Sequence, residues 1–241
     1  MHPALAAPVS ILRSLLNTGT NVTCPVCNRS FRRFIPGGGI NRRPDARCPA
    51  CDALERHRLF GLFLRRTTNL LTRNQVLLHF APERCFRQLF KNSANGEYVT
   101  ADLQSPLAEV HTDITALVFP DRRFDALICL HVLEHIADDA AALKELFRVL
   151  KPGGTAYILT PVEQSLEKTI EDREGSTAEE RTERFDAPDH LRKYGRDFVQ
   201  RIGSAGFRVE AIDFYKELKP EERKKYGLIP GEFIYRCTRP A

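Results

Sequence analysis

The stretch FDALICLHVLEHIADD, Phe124 to Asp139, decides the fold. Its opening run is apolar apart from Asp125, too continuous for a strand with one wet face and too short for an ordinary helix. Such a run marks a strand buried on both faces, as in a parallel sheet. The chain then turns through His131-Val132-Leu133-Glu134-His135, a corner crowded with titratable groups. From Asp138 to Leu150 the residues Ala141, Leu143, Leu146, Phe147 and Leu150 line one face of a helix, which Lys151-Pro152-Gly153-Gly154 is expected to stop. Thr155–Thr160 reads as another buried strand. Strand, helix and strand in that order predict a right-handed crossover in a parallel α/β sheet.

Outward from this unit the alternation continues. Strands are expected at Val76–Phe80, Tyr98–Ala101, Phe207–Phe214 and Glu232–Thr238, with a short one near Val110. Helices are expected over Glu83–Phe90 and Arg196–Ala205. The whole would wind into a doubly wound sheet whose ligand crevice lies at the carboxyl ends of the strands. Asp102, in YVTADLQ, ends the second strand 23 residues beyond His79, where an acid can hold both hydroxyls of a ribose. Asp113, in HTDITAL, stands in a loop able to meet an adenine edge. Either aspartate alone could equally be a turn former.

The series from Val76 to LKPGG resembles the class I S-adenosylmethionine-dependent methyltransferases, with HVLEHI, its following helix and LKPGG as the most specific part. The resemblance covers roughly residues 67–241, and DHLRKYGRDFVQRIGSAGFRVE looks like the late helix and strand of the small-molecule branch. It implies a Rossmann-like sheet of seven strands, the last antiparallel, a role Glu232–Thr238 can fill. It implies S-adenosylmethionine as cofactor, with Asp102 on the ribose, Asp113 toward the adenine and Leu130 at the end of the neighbouring strand. The first strand departs from the pattern, because no glycine occurs between Asn69 and Asn95. His79 stands where the family has an acid, and Ala81 and Glu83 where glycines are common. CPxC…CPxC…ERHR followed by LHFAPE resembles a zinc-bearing methyltransferase subgroup. There Ala81 permits close backbone approach, Pro82 suits a helix start, and Glu83 can accept from the cofactor's ammonium. A degenerate fold that binds no cofactor is the bland alternative.

Catalysis by such a protein would need alignment and a base. His131 and His135 follow the fourth strand and would share a face if helical. Residues 162–194 form an insertion after the fifth strand, with ten acids and six bases among residues 163–193. That charge suggests a mobile, solvated lid that brings His190 and Tyr194 back to the site. His135, His190 and His131 are therefore the candidate catalytic residues. Should His79, His131, His135 and His190 converge, they would form a second metal site and permit metal-assisted methyl transfer off a substrate.

The front of the chain, residues 1–66, carries a separate chemistry. Cys24-Pro-Val-Cys27 and Cys48-Pro-Ala-Cys51 form a C-x2-C-x20-C-x2-C pattern. Each pair can place two sulfurs on one ion from a tight turn, and two pairs complete a tetrahedral zinc site with no open position. The stretch between, including Pro36-Gly37-Gly38-Gly39, cannot build a core, so the metal would supply folding energy. Leu54–Leu64 reads as a connecting helix. Residues 1–16 read as an N-terminal helix and not a signal peptide. The same 66 residues hold eleven arginines and no lysine against three acids, a net of +8, while the rest carries 25 bases and 28 acids, a net of −3. A basic front suits an anionic partner such as nucleic acid, although arginines that merely solvate a small lobe would look the same.

Seven cysteines, four of them in pairs, and no secretion signal argue for a reducing, cytoplasmic setting. No apolar run is long enough to span a membrane. The leading expectation is a methyltransferase of O, N or C atoms in small molecules, possible in specialised metabolism. The alternatives are an RNA methyltransferase that grips phosphate with the basic lobe, and a non-enzymatic module on a dead fold. Against RNA, the lobe offers no aromatic platform beyond Phe31 and Phe34. Substrate, methylated atom and oligomeric state are not legible.

Overall fold

The computed structural model describes residues 3–38, 42–93, 96–172 and 176–241. Gly39 of the glycine run and residues 173–175 of the insertion lie outside the described residues. The chain forms two compact units, each drawn from three separate segments.

The larger unit comprises residues 73–82, 94–213 and 231–241. It is a seven-stranded sheet of β1 (Val76–Phe80), β2 (Glu97–Asp102), β3 (Val110–His111), β4 (Phe124–Leu130), β5 (Leu150–Leu159), β6 (Arg208–Ile212) and β7 (Ile234–Thr238). The spatial order is β6-β7-β5-β4-β1-β2-β3. Neighbours from β3 to β5 pair in parallel, and β7 runs antiparallel to both β5 and β6, as expected for the last strand. The chain leaves β1 toward β2 on one side and returns to β4 on the other. That reversal opens a crevice at the carboxyl ends of β1 and β4. Leu78, Phe80, Leu127, Cys129, Ala156 and Ile158 are buried in one core with Leu143, Leu146 and Val149 of the helix Asp139–Val149. The continuous apolar run of β4 is thus explained by its central place, with sheet neighbours on both edges.

The helix stops at LKPGG as expected, but the stretch is not a free turn. The helix ends at Val149 and β5 starts at Leu150, so Lys151-Pro152-Gly153-Gly154 is the irregular first half of a strand. Gly153, at φ +75°, donates its N–H to the Arg239 carbonyl, and the Arg239 N–H returns to Gly154 at 2.9 Å. A Cβ on Gly154 would lie 2.8 Å from the Lys151 carbonyl oxygen, so only glycine fits the bulge. Asp125 fastens the same end: Oδ2 accepts from the Val76 N–H and Oδ1 from Lys151 Nζ, both at 2.8 Å. The sixth strand also stops at Ile212, and Phe214 opens a short helix in the other unit instead of ending a strand.

The smaller unit comprises residues 1–72, 83–93 and 214–230. The expected N-terminal helix spans Pro3–Leu16. Two short antiparallel pairs follow, Thr18–Cys24 with Arg29–Phe31 and Ile35–Gly37 with Arg43–Arg47. Helix Glu55–Thr67 packs Phe60 edge-on to Phe86 at 5.5 Å and Phe63 edge-on to Phe214 at 5.4 Å, so three distant segments share one core. No helix among the described residues is long and apolar enough to cross a membrane.

Candidate functional site

In the larger unit a cleft of about 450 Å³ opens at the topological reversal. Its walls come from the strand ends: Phe80 and Ala81 after β1, Asp102 and Leu103 after β2, Asp113–Thr115, and, at the corner after β4, His131, Val132 and residues 135–138. Ala81 adopts φ +53° and His131 φ +52°, a left-handed backbone costing L residues about 1–2 kcal/mol. The tight turn that glycine usually makes is therefore present, built by alanine.

Both aspartates are held by their own loops. Asp102 Oδ1 accepts from the N–H of Gln104 at 2.8 Å and of Ser105 at 2.7 Å. Among the described residues its Oδ2 makes no hydrogen bond, which fits an acceptor for ligand hydroxyls. Asp113 Oδ1 accepts from the backbone N–H and the hydroxyl of Thr115, both at 2.8 Å. Those two donors hold the exposed Asp113 carboxyl below its usual range, so it stays an anion able to accept from an amino group.

The histidines diverge. His131 lies outside the 3₁₀ turn Leu133–His135 and does not share a helix face with His135. Its Nε2 meets Glu232 Oε1 at 2.9 Å and its Nδ1 lies 3.4 Å from Glu134 Oε1. His135 Nδ1 donates to the Asp189 carbonyl at 3.1 Å, and its ring stands edge-on to His190, centroids 4.9 Å apart. His79 is fully enclosed in β1, with Nδ1 2.8 Å from the Tyr98 hydroxyl, and it does not line the cleft. The alternative of four converging histidines reduces to His135 and His190, because His79 is enclosed in β1 and His131 turns to Glu232 and Glu134. Leu130 is buried at the end of β4. Glu83 belongs to the smaller unit, where Oε1 lies 3.8 Å from His57 Nε2.

The return limb of the insertion is not a solvated flap. Arg192 is buried and donates to the carbonyls of Leu133, Ile136 and Ala137, to Leu133 and Ala137 at 2.9 Å. Its Nε pairs with Glu171 at 2.8 Å. Tyr194, expected at the site, is fully buried instead, donating its hydroxyl to Asp139 Oδ2 at 2.7 Å. Arg201 doubles onto the same carboxylate. Sequence reasoning missed Glu232, Arg192 and Asp139. Arg192 and Asp139 lie inside recognisable motifs, yet the contacts that tie each to the other motif span more than fifty residues of sequence.

In the smaller unit the four paired cysteines meet. Donor atoms of Cys24, Cys27, Cys48 and Cys51 all lie within 4.8 Å of one another, with Cys24–Cys51 at 3.6 Å and Cys27–Cys48 at 3.8 Å. A tetrahedron of about 2.3 Å zinc–sulfur bonds has edges of about 3.8 Å, so the donor set fits zinc. Each pair closes the same turn: Asn28 N–H bonds to the Cys24 carbonyl at 2.8 Å and Asp52 N–H to that of Cys48 at 3.1 Å. Asn28 and Asp52 both take left-handed φ, 57° and 63°, which their side chains tolerate. The sulfurs of Cys24, Cys27 and Cys48, then burial, push the Cys51 thiol far up, so four thiolates require a cation. Buried Arg58 nearby bonds four carbonyls, those of Ala46, Ala53, Tyr226 and Gly227.

A protein-family model described as a methyltransferase domain matches residues 86–158. The ubiquinone/menaquinone biosynthesis C-methyltransferase UbiE of Xanthomonas oryzae pv. oryzae is 41% identical over 130 residues, 53% of this chain and 45% of that protein. The chain spans less than half the length of the first curated relatives it matches. Among solved structures, the YcgJ protein of Bacillus subtilis superposes with TM-score 0.53 at 17% identity, over 77% of this chain and 99% of that one. A chain from the complex with the Haloferax volcanii Trm112 methyltransferase activator gives 0.54 at 13%, over 76% and 89%. The larger unit therefore has the Rossmann-like methyltransferase fold.

Proposed function

We propose that this chain is an S-adenosylmethionine-dependent methyltransferase acting on a small molecule, with a structural zinc ion in its front lobe. The observation that carries the reading is the cleft at the reversal between β1 and β4, where Asp102 and Asp113 stand at successive strand ends, each braced by its own loop. When bound, the cofactor supplies an electrophilic methyl group on a sulfonium. Asp102 would hold its ribose, Asp113 its adenine amino group, and the left-handed turn at Ala81 would admit the methionine end. His135, on the cleft wall beside the insertion, is placed to meet the acceptor. Cys24, Cys27, Cys48 and Cys51 would hold the zinc.

A small-molecule acceptor agrees with two features. The partial match to UbiE proteins lies with enzymes named for quinone biosynthesis. The front lobe also spends five of its eleven arginines internally: Arg58 on carbonyls, Arg65 on the Pro25 carbonyl, Arg43 on Glu55, Arg66 on Glu222 and Arg13 on Asp52. Phe31 and Phe34 are buried, so neither offers a face for base stacking. The test is calorimetry with S-adenosylhomocysteine, followed by turnover against a metabolite panel and a salt titration of RNA binding. Binding of S-adenosylhomocysteine with no salt-dependent RNA shift supports the reading. No binding at millimolar ligand refutes it, and a steep salt-dependent RNA shift moves the substrate to nucleic acid.

A further inference from the structure

The corner after β4 holds a second set of metal donors that the cofactor does not use. Glu134, His135 and His190 each bring one donor atom within 4.8 Å of the other two. Both rings are already oriented. His135 Nδ1 faces the Asp189 carbonyl at 3.1 Å, and His190 Nδ1 faces the Phe185 carbonyl at 2.9 Å. A carbonyl only accepts, so in both rings Nδ1 carries the proton and Nε2 keeps its lone pair. Fixing a ligating histidine by a backbone carbonyl on its other nitrogen is the usual support of a metal site.

Glu134 supplies the independent sign. It is buried, Oε2 accepts from the Thr160 hydroxyl at 2.8 Å, and Oε1 is enclosed without a hydrogen-bond partner. The nearest recorded charge to Oε1 is His131 Nδ1 at 3.4 Å. An enclosed carboxylate oxygen is costly unless a cation or donor faces it. The backbone clamps the two halves together: Leu191 N–H bonds to the Glu134 carbonyl at 2.8 Å, and Arg192 ties the next residue of the insertion to the same corner.

We propose that Glu134, His135 and His190 bind a divalent first-row metal ion at the edge of the cleft. Two imidazoles and one carboxylate leave part of the coordination sphere open. His135 lines the cleft, so the open positions would take an acceptor that offers an oxygen anion or adjacent oxygen donors. The choice of acceptor rests on the methyltransferase reading; the metal site itself does not.

The experiment uses full-length protein with its cysteine site filled by zinc, titrated with Co²⁺ and followed by absorbance and metal analysis. One further cobalt per chain is expected, with weak ligand-field bands and none of the intense sulfur-to-cobalt charge transfer of a thiolate site. His190→Ala should abolish this uptake while S-adenosylhomocysteine affinity and the zinc content stay as in the wild type. A second variant, His135→Gln, should weaken uptake at least tenfold. His111→Ala, a surface control, should bind cobalt normally. Absence of a second equivalent in the wild type, or its retention in His190→Ala, overturns the proposal. If cobalt binds but S-adenosylhomocysteine does not, the site stands and the methyltransferase reading falls. If S-adenosylhomocysteine binds and cobalt does not, only the metal site falls.

Discussion

Asp102 and Asp125 show how much one carboxylate can report. Asp102 presents an acceptor beyond its turn, so Asp102→Ala should weaken S-adenosylhomocysteine binding by roughly 2–3 kcal/mol, about 30- to 150-fold. Unchanged affinity by calorimetry would leave Asp102 as a turn former only. Asp125 is a matter of stability. Partial burial opposes its charge, but Lys151 and the Val76 N–H outweigh that and hold the folded carboxyl below its usual 3.8. A depressed folded pKa contributes stability that is complete above the unfolded pKa and lost as pH falls through the folded one. Urea titrations should therefore show wild type exceeding Asp125→Asn by a constant margin above about pH 5, narrowing on acidification. A margin that grows at low pH would contradict the assignment. At this scale the aspartates of the cleft were legible because position at a strand end is a local fact. His131 was not, because its partner Glu232 is remote in sequence and its left-handed backbone has no marker in a histidine.

At the scale of elements, the buried strands were legible because a central parallel strand is apolar on both faces and needs no partner to be recognised. LKPGG ends its helix as read, yet that it also opens the next strand was not legible. Proline and glycine are turn signals when pairing is unknown, whereas here Arg239 supplies the pairing for the bulge. The insertion was misjudged: ten acids read as solvated, yet its return limb is fixed through Arg192. Arg192 serves three carbonyls and Glu171 at once, and removing it leaves buried acceptors unpaired. Arg192→Met should lower unfolding stability by roughly 3–5 kcal/mol, read as a shifted denaturant midpoint. A shift under about 1 kcal/mol would mean that water can replace the guanidinium.

For the whole molecule, the cysteine spacing announced that four sulfurs would meet, but nothing local showed that residues 83–93 and 214–230 complete the unit around them. Such assembly depends on contacts such as Phe63 with Phe214 and Arg58 with Tyr226, which no periodicity encodes. Cys48→Ser should lose the zinc, measured as metal per chain, and the smaller unit should become protease-sensitive. Full stoichiometry in that variant would refute the four-cysteine assignment. The threefold segmentation also bears on biosynthesis. A chain that emerges vectorially exposes the cysteine pairs, at residues 24–51, well before the helices that close their unit, which arrive only with residues 214–230. β7 comes later still and must slot between β5 and β6, two strands already made. The smaller unit thus waits on residues 214–230 and the larger on residues 231–241, and a chain cut after Pro230 would leave β5 and β6 without the strand that joins them.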